Sequence, residues 1–250
     1  MTAISPGQEA PTRTAQKLRQ VHTITDRFGM LNTYLIDDGG LVVVDPRSSL
    51  NGQLILYYTE RFLKRSPADI DLIVLTSLET NQSGGIETLR QRCAAPVAAL
   101  SKVRSRASSS GEEGRGNEGG NLSISMPFRT GELFSLDVLF ALTAPHLRQV
   151  SIWLQDVGGL PRHEDWRVIA TSGATRGSFC LYNPFSWELI GGAAISTTEG
   201  GVPILHAGGD QRGQQETLRL LRDLQIYYLY PGQGKPLLAR NAAAQLRLDW

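Results

Sequence analysis

The 250 residues carry 25 Lys plus Arg against 24 Asp plus Glu, a net charge of +1, and 41% are hydrophobic. That apolar fraction fills a real core and excludes disorder throughout, while the balanced charge gives no field drawing the whole chain to nucleic acid or an anionic membrane. The longest purely aliphatic run, "LVVV" at 41–44, is far short of the roughly 20 apolar residues that cross a bilayer.

Residues 1–18 read as a flexible polar tail, and residues 19–250 as one domain. The start has no positively charged segment leading into an apolar one, so it does not read as a secretory signal, and the default location is cytoplasmic. Cys93 and Cys180 form no CxxC and read as reduced core residues.

"QVHTI", "LNTYLI" and "LVVVD" are β-rich pieces separated by "DRFG" and "DDGG", turns that suit an antiparallel meander. "NGQLILYYTERFLKR" predicts a helix with Leu54, Tyr58 and Phe62 on its apolar face, ended by Pro67. "IDLIVLT", "GIETLRQR" and "PVAAL" then read as strand, helix and strand.

The stretch 101–121 holds one large aliphatic residue, Val103, and is expected to be a mobile loop. "LFSLDVLFAL" at 133–142 is strand-like, and "PHLRQVSIWLQDVGGLP" reads as a short helix ending at Gly158 and Gly159. "WRVIAT", "GSFCLYNP" and "WELIGGAAI" predict strands, the last two a hairpin around "NPFS". Asp210 is placed to cap a helix through "QQETLRLLRDL" with a stripe of Leu218, Leu221 and Leu224. "IYYLY" is the next strand, and "ARNAAAQLRL" reads as a last helix. Two βα halves of this kind fit a four-layer αββα sandwich as well as a doubly wound sheet.

Five stretches narrow that choice: "NTYLIDDGGLVVVDP" (32–46), "IDLIVLTSLETNQSGG" (70–85), "VIATSGATRGSFCLYNP" (168–184), "LIGGAAI" (189–195) and "LYPGQGKP" (229–236). In this order and spacing the chain resembles the metallo-β-lactamase-fold superfamily, in particular its glyoxalase II-like, general hydrolase branch. The resemblance implies an α+β fold, a four-layer αββα sandwich of two mixed β-sheets flanked by helices. It also implies the place of a site, since the hydrolases of the family hold one or two metal ions, usually zinc, between loops at one edge of the sandwich.

On that resemblance the family's "HxHxDH" falls on Ser77, Glu79, Asn81 and Gln82. Its later histidine falls on Ala174, its bridging aspartate on Ala193 and its last histidine on Gln233. Zinc takes imidazole nitrogen, thiolate sulfur and carboxylate oxygen, for which a hydroxyl or amide is a poor substitute and a methyl group none. The expectation is therefore a vestigial pocket formed by Ser77, Glu79, Asn81, Gln82, Ala174, Arg176, Ala193 and Gln233, with no metal and no cofactor. The resemblance further suggests that Asp45 supports the site from behind; a cap or turn hydrogen bond explains it equally well.

The leading reading is a catalytically inactive member that binds a protein partner or a small ligand, with no nucleic acid and no membrane involved. The alternative is a hydrolase with an atypical metal site, or a metal-free site built around Glu79 and Arg176. His22, His146, His163 and His206 stand apart from one another and read as surface or packing residues. "HEDW" at 163–166 reads as a solvated turn at the start of a strand. "GGDQRG" at 208–213 lacks the Lys and Ser/Thr of a phosphate loop.

Overall fold

A computed structural model describes residues 20–26, 30–79, 83–101, 148–175 and 177–249. The expectations for the N-terminal tail, for 102–121, for 133–142 and for Asn81, Gln82 and Arg176 lie outside the described residues.

The predicted meander forms: β1 (Gln20–Thr25), β2 (Asn32–Asp37) and β3 (Leu41–Val44) pair antiparallel in sequence order. β4 (Ile70–Leu75), β5 (Val97–Leu100) and β6 (Ile152–Leu154) then add in parallel, completing a six-stranded mixed sheet. The second sheet runs β13-β12-β10-β9-β8-β7, from β7 (Gly159–Leu160), β8 (His163–Ala170), β9 (Phe179–Asn183), β10 (Glu188–Thr197), β12 (Tyr228–Gln233) and β13 (Leu237–Leu238). β11 (Pro203–Leu205) joins it on β10, and β14 (Arg247–Leu248) on β11. The hairpin expected around "NPFS" is the antiparallel pair β9–β10.

Strand alternation sorts the apolar residues into three layers of core. Tyr34, Ile36, Val42, Val44, Leu72 and Val74 face Trp166, Val168, Phe179, Leu181 and Ile190 between the sheets. Their sequence neighbours Leu35, Leu41, Val43, Ile73 and Leu75 point the other way, onto α1 (Ser49–Arg61) and α2 (Ile86–Arg90). Cys180, Leu189, Ile195 and Leu229 cover the far side of the second sheet, against α3 (Gln211–Asp223). A sheet buried on both faces needs unbroken runs such as "LVVV" and "LIVL", and each strand here has a partner layer on either side. This is an α+β sandwich of two mixed sheets with helices outside. Cys93 and Cys180 are buried free thiols, and burial pushes Cys180 up to about 12.

Three expectations need correction. The face of α1 that packs is Asn51, Gly52, Ile55, Leu56 and Thr59; of the predicted face Tyr58 packs partly on the core, whereas Leu54 is 37% and Phe62 62% exposed. The helix is apolar on more than one side, and its polar bonds decide between them. Asn51 Oδ1 accepts from Thr33 Oγ1 (2.8 Å) and from the Arg47 amide (3.1 Å), while a side chain at Gly52 would crowd the Gly85 carbonyl and Thr88. Part of the helix predicted to end at Gly158 and Gly159 is instead strand β6, in which Ile152 and Leu154 pack between the sheets while Trp153 faces the outer layer. The last predicted helix is a 3-10 turn, Ala242–Gln245, followed by β14.

Candidate functional site

β3 and β4 run parallel, so Asp45 and Thr76, the residues that follow them, emerge at the same end of the first sheet. Asp45 is fully buried and left-handed (φ 56°), a conformation aspartate accepts more readily than most residues. Its carboxylate accepts from the Thr76 amide (2.8 Å) and the Thr76 hydroxyl (2.6 Å). That hydroxyl oxygen accepts in turn from the Ala193 amide of β10 (2.9 Å), and the Thr76 carbonyl accepts from the Phe179 amide (3.0 Å). Thr76 thus ties one strand end of the first sheet to two strands of the second. The approach is close enough that a Cβ at Gly192 (φ 49°) would overlap the Thr76 side chain, which accounts for glycine there.

Arg47 completes the same end. Its side chain is 8% exposed, with Nε donating to the Asn32 carbonyl (3.0 Å), Nη2 donating to the Gly232 carbonyl (3.1 Å), and Nη2 4.0 Å from Asp45 Oδ2. Asn32 Nδ2 donates to the carbonyls of Pro231 (2.9 Å) and Gly234 (2.7 Å), and the Tyr34 hydroxyl also donates to Pro231. Burial pushes the Asp45 carboxyl above the usual carboxylate range, with Arg47 and the Thr76 hydrogen bonds pulling it partly back.

The four loops expected to meet do so. Gly177 packs on Leu78, the Thr175 hydroxyl donates to the Ala193 carbonyl (3.5 Å), and Gly232 lies against the Gly192 carbonyl. The described side chains at the expected positions differ in exposure. Ser77 is buried, and its hydroxyl accepts from the Glu79 amide of its own loop (3.3 Å). Glu79 and Gln233 are exposed. Ala174 packs into the core layer under α3, and Ala193 is half-buried. The residue types at the seven positions do not fit zinc: by sequence they offer one hydroxyl, three amides, one carboxylate and two methyls. Among the described residues no group of three His, Cys, Asp or Glu is placed to hold a metal ion.

Sequence reasoning did not single out Thr76 as the hub or Arg47 as a buried cation; the signal available was the polar residue closing each apolar strand. It also misread "HEDW". His163 is a buried residue opening β8, Nδ1 2.6 Å from Asp38 Oδ1 and Nε2 2.9 Å from Asp71 Oδ1. The solvated turn predicted there is instead a contact between sheets. Among the described residues no helix is long and apolar enough to cross a membrane.

Residues 26–233 match the family model of the metallo-beta-lactamase superfamily. A Bacillus subtilis (strain 168) protein, probable metallo-hydrolase YqjP, is 26% identical over 133 residues, which are 50% of this chain and 41% of that protein. The matched part thus spans less than half of that relative's length. Among solved structures, the apo state of the chemotaxis sensor ODP from T. denticola aligns with a TM-score of 0.57 at 16% identity, covering 90% of this chain and 91% of that one. The metallo-beta-lactamase family protein TTHA1429 from Thermus thermophilus aligns with a TM-score of 0.56 at 15% identity, covering 92% and 77%. At such identities these two likenesses show the fold alone.

Proposed function

We propose, from the premise that the chain belongs to the metallo-beta-lactamase superfamily, that it is a member without hydrolytic activity, acting by binding a protein partner or a small ligand. One observation carries this reading. The network that brings the strand-end loops together, Asp45 to Thr76 to Ala193, is intact, while the positions to which the resemblance assigns metal ligands hold Ser77, Glu79, Asn81, Gln82, Ala174, Ala193 and Gln233.

A hydrolase of this family relies on a metal that lowers the pKa of bound water from about 15.7 to about 7. Hydroxyl and amide side chains are not bases near neutral pH, and methyl groups offer no ligand atom. Glu79 is the one ionisable group among the seven, and its exposed position gives it no dry pocket in which to place substrate. The retained scaffold then serves to hold a surface in shape.

The test is turnover by the native protein of esters, thioesters and β-lactams, with zinc, iron or manganese supplied in turn. The reading predicts rates at buffer background with every metal. Turnover above background that disappears in Glu79→Gln would replace it with a hydrolase built around that carboxylate.

A further inference from the structure

Independently of the candidate site, the opposite end of β3 and β4 holds a second polar construction. His163, its side chain 2% exposed, reaches from β8 in the second sheet to two carboxylates of the first, Asp38 in the β2–β3 turn and Asp71 in β4. An ionised carboxylate only accepts, so a ring nitrogen at hydrogen-bond distance from one must carry a proton. Both ring nitrogens of His163 face a carboxylate. Only the imidazolium satisfies both; a neutral ring bonds one aspartate and turns a lone pair on the other.

We propose that His163 is a charge-dependent clamp between the two sheets, engaged while its imidazole is protonated and released when the ring becomes neutral. The surroundings are built for that contact. A Cβ at Gly40 would overlap the Asp71 carboxylate and crowd the His163 ring, so the close approach needs glycine. The neighbouring charges are the Arg162 guanidinium, 3.7 Å from Asp71 Oδ2, and the Arg65–Asp37 pair (2.9 Å), in which Arg65 also bonds the Gly39 and Gly40 carbonyls. Glu164 and Asp165 follow on the same strand. Arg162 and Arg65 bear on the aspartates and their turn, while the ring itself is bonded to Asp38 and Asp71.

Burial lowers the His163 pKa, but the hydrogen bonds and charges of Asp38 and Asp71 outweigh it and hold the group above the ordinary histidine value of 6.5. The sign follows: the stabilisation is complete below the unfolded value near 6.5 and is lost as pH rises through the higher folded value. The clamp is thus engaged around the ordinary histidine value and opens as pH rises above it through the folded value.

Two measurements test this. In the native protein, nitrogen NMR of the His163 ring is expected to show imidazolium predominating at pH 6.5, the ordinary histidine midpoint; a neutral tautomer predominating there would overturn the proposal. Amide exchange at pH 6 and pH 9, compared with His163→Gln at the same pH so that intrinsic exchange cancels, reads the clamp locally. Protection of Leu41, Val42 and Trp166 relative to the variant is expected to fall several-fold between the two pH values, while that of Thr76 and Ala193 stays level. A ratio that does not change with pH at Leu41, Val42 and Trp166 would equally overturn it.

Discussion

The same two parallel strands, β3 and β4, are finished in opposite ways at their two ends, which lie roughly 17 Å apart over the five residues from Asp71 to Thr76. At the far end an imidazole sits between two carboxylates and bridges the sheets by charge. At the end where family resemblance places the chemistry, a buried carboxylate is held by one threonine and approached by one arginine, and the bridge to the other sheet runs largely through backbone amides and carbonyls. The difference teaches that protein groups by themselves link the frame of the candidate site across the two sheets. Arg47 supplies the positive charge near Asp45, and Thr76 supplies the donors.

The largest effect is expected from Asp45→Ala. It removes the acceptor of both Thr76 donors and places alanine at φ 56°, so the urea midpoint should fall by the equivalent of about 3 kcal/mol or more. A loss below about 1 kcal/mol would show that the network is incidental, well under the typical cost of an unsatisfied buried donor. Arg47→Met should follow at about 2 kcal/mol, since it removes two hydrogen bonds and leaves Asp45 buried without its nearby cation.

His163→Gln sharpens the comparison through pH rather than size. The cost should be about 1–2 kcal/mol at pH 6 and shrink as pH rises through the folded His163 value, where the wild-type clamp loses its proton. Smallest of all, Glu79→Gln should change stability by less than about 0.5 kcal/mol, as substitutions at exposed positions usually do. A larger loss would mean that Glu79 is held by a partner and belongs to the frame.

Much of this architecture is legible in the sequence where burial is continuous. "LVVV" and "LIVL", bounded by turn residues and rich in β-branched side chains, read as strands covered on both faces, and "NPFS" between two β-rich runs marks the β9–β10 hairpin. The meeting of the strand-end loops was implied by the resemblance alone, since positions 77, 174, 193 and 233 are far apart in the chain. What was not legible depends on partners distant in sequence. His163 lies 125 residues from Asp38 and 92 from Asp71, so "HEDW" in isolation looks like any polar turn. The inward face of α1 is set by bonds from Thr33 and Arg47 to Asn51, which no helical periodicity reports. The alternation in β6 spans only Ile152 to Leu154, too short a run to overrule the surrounding helix-like text.

The central claim is that the positions of the family's metal ligands hold no donor set that binds a metal ion, and the metal content of the native chain tests it most directly. Untagged protein, purified without chelator, equilibrated with zinc and passed through gel filtration, should retain well below one equivalent by elemental analysis, unchanged in Glu79→Gln. One or more equivalents retained by the wild type and lost in that variant would contradict the account and return the protein to the metal-dependent members of its superfamily.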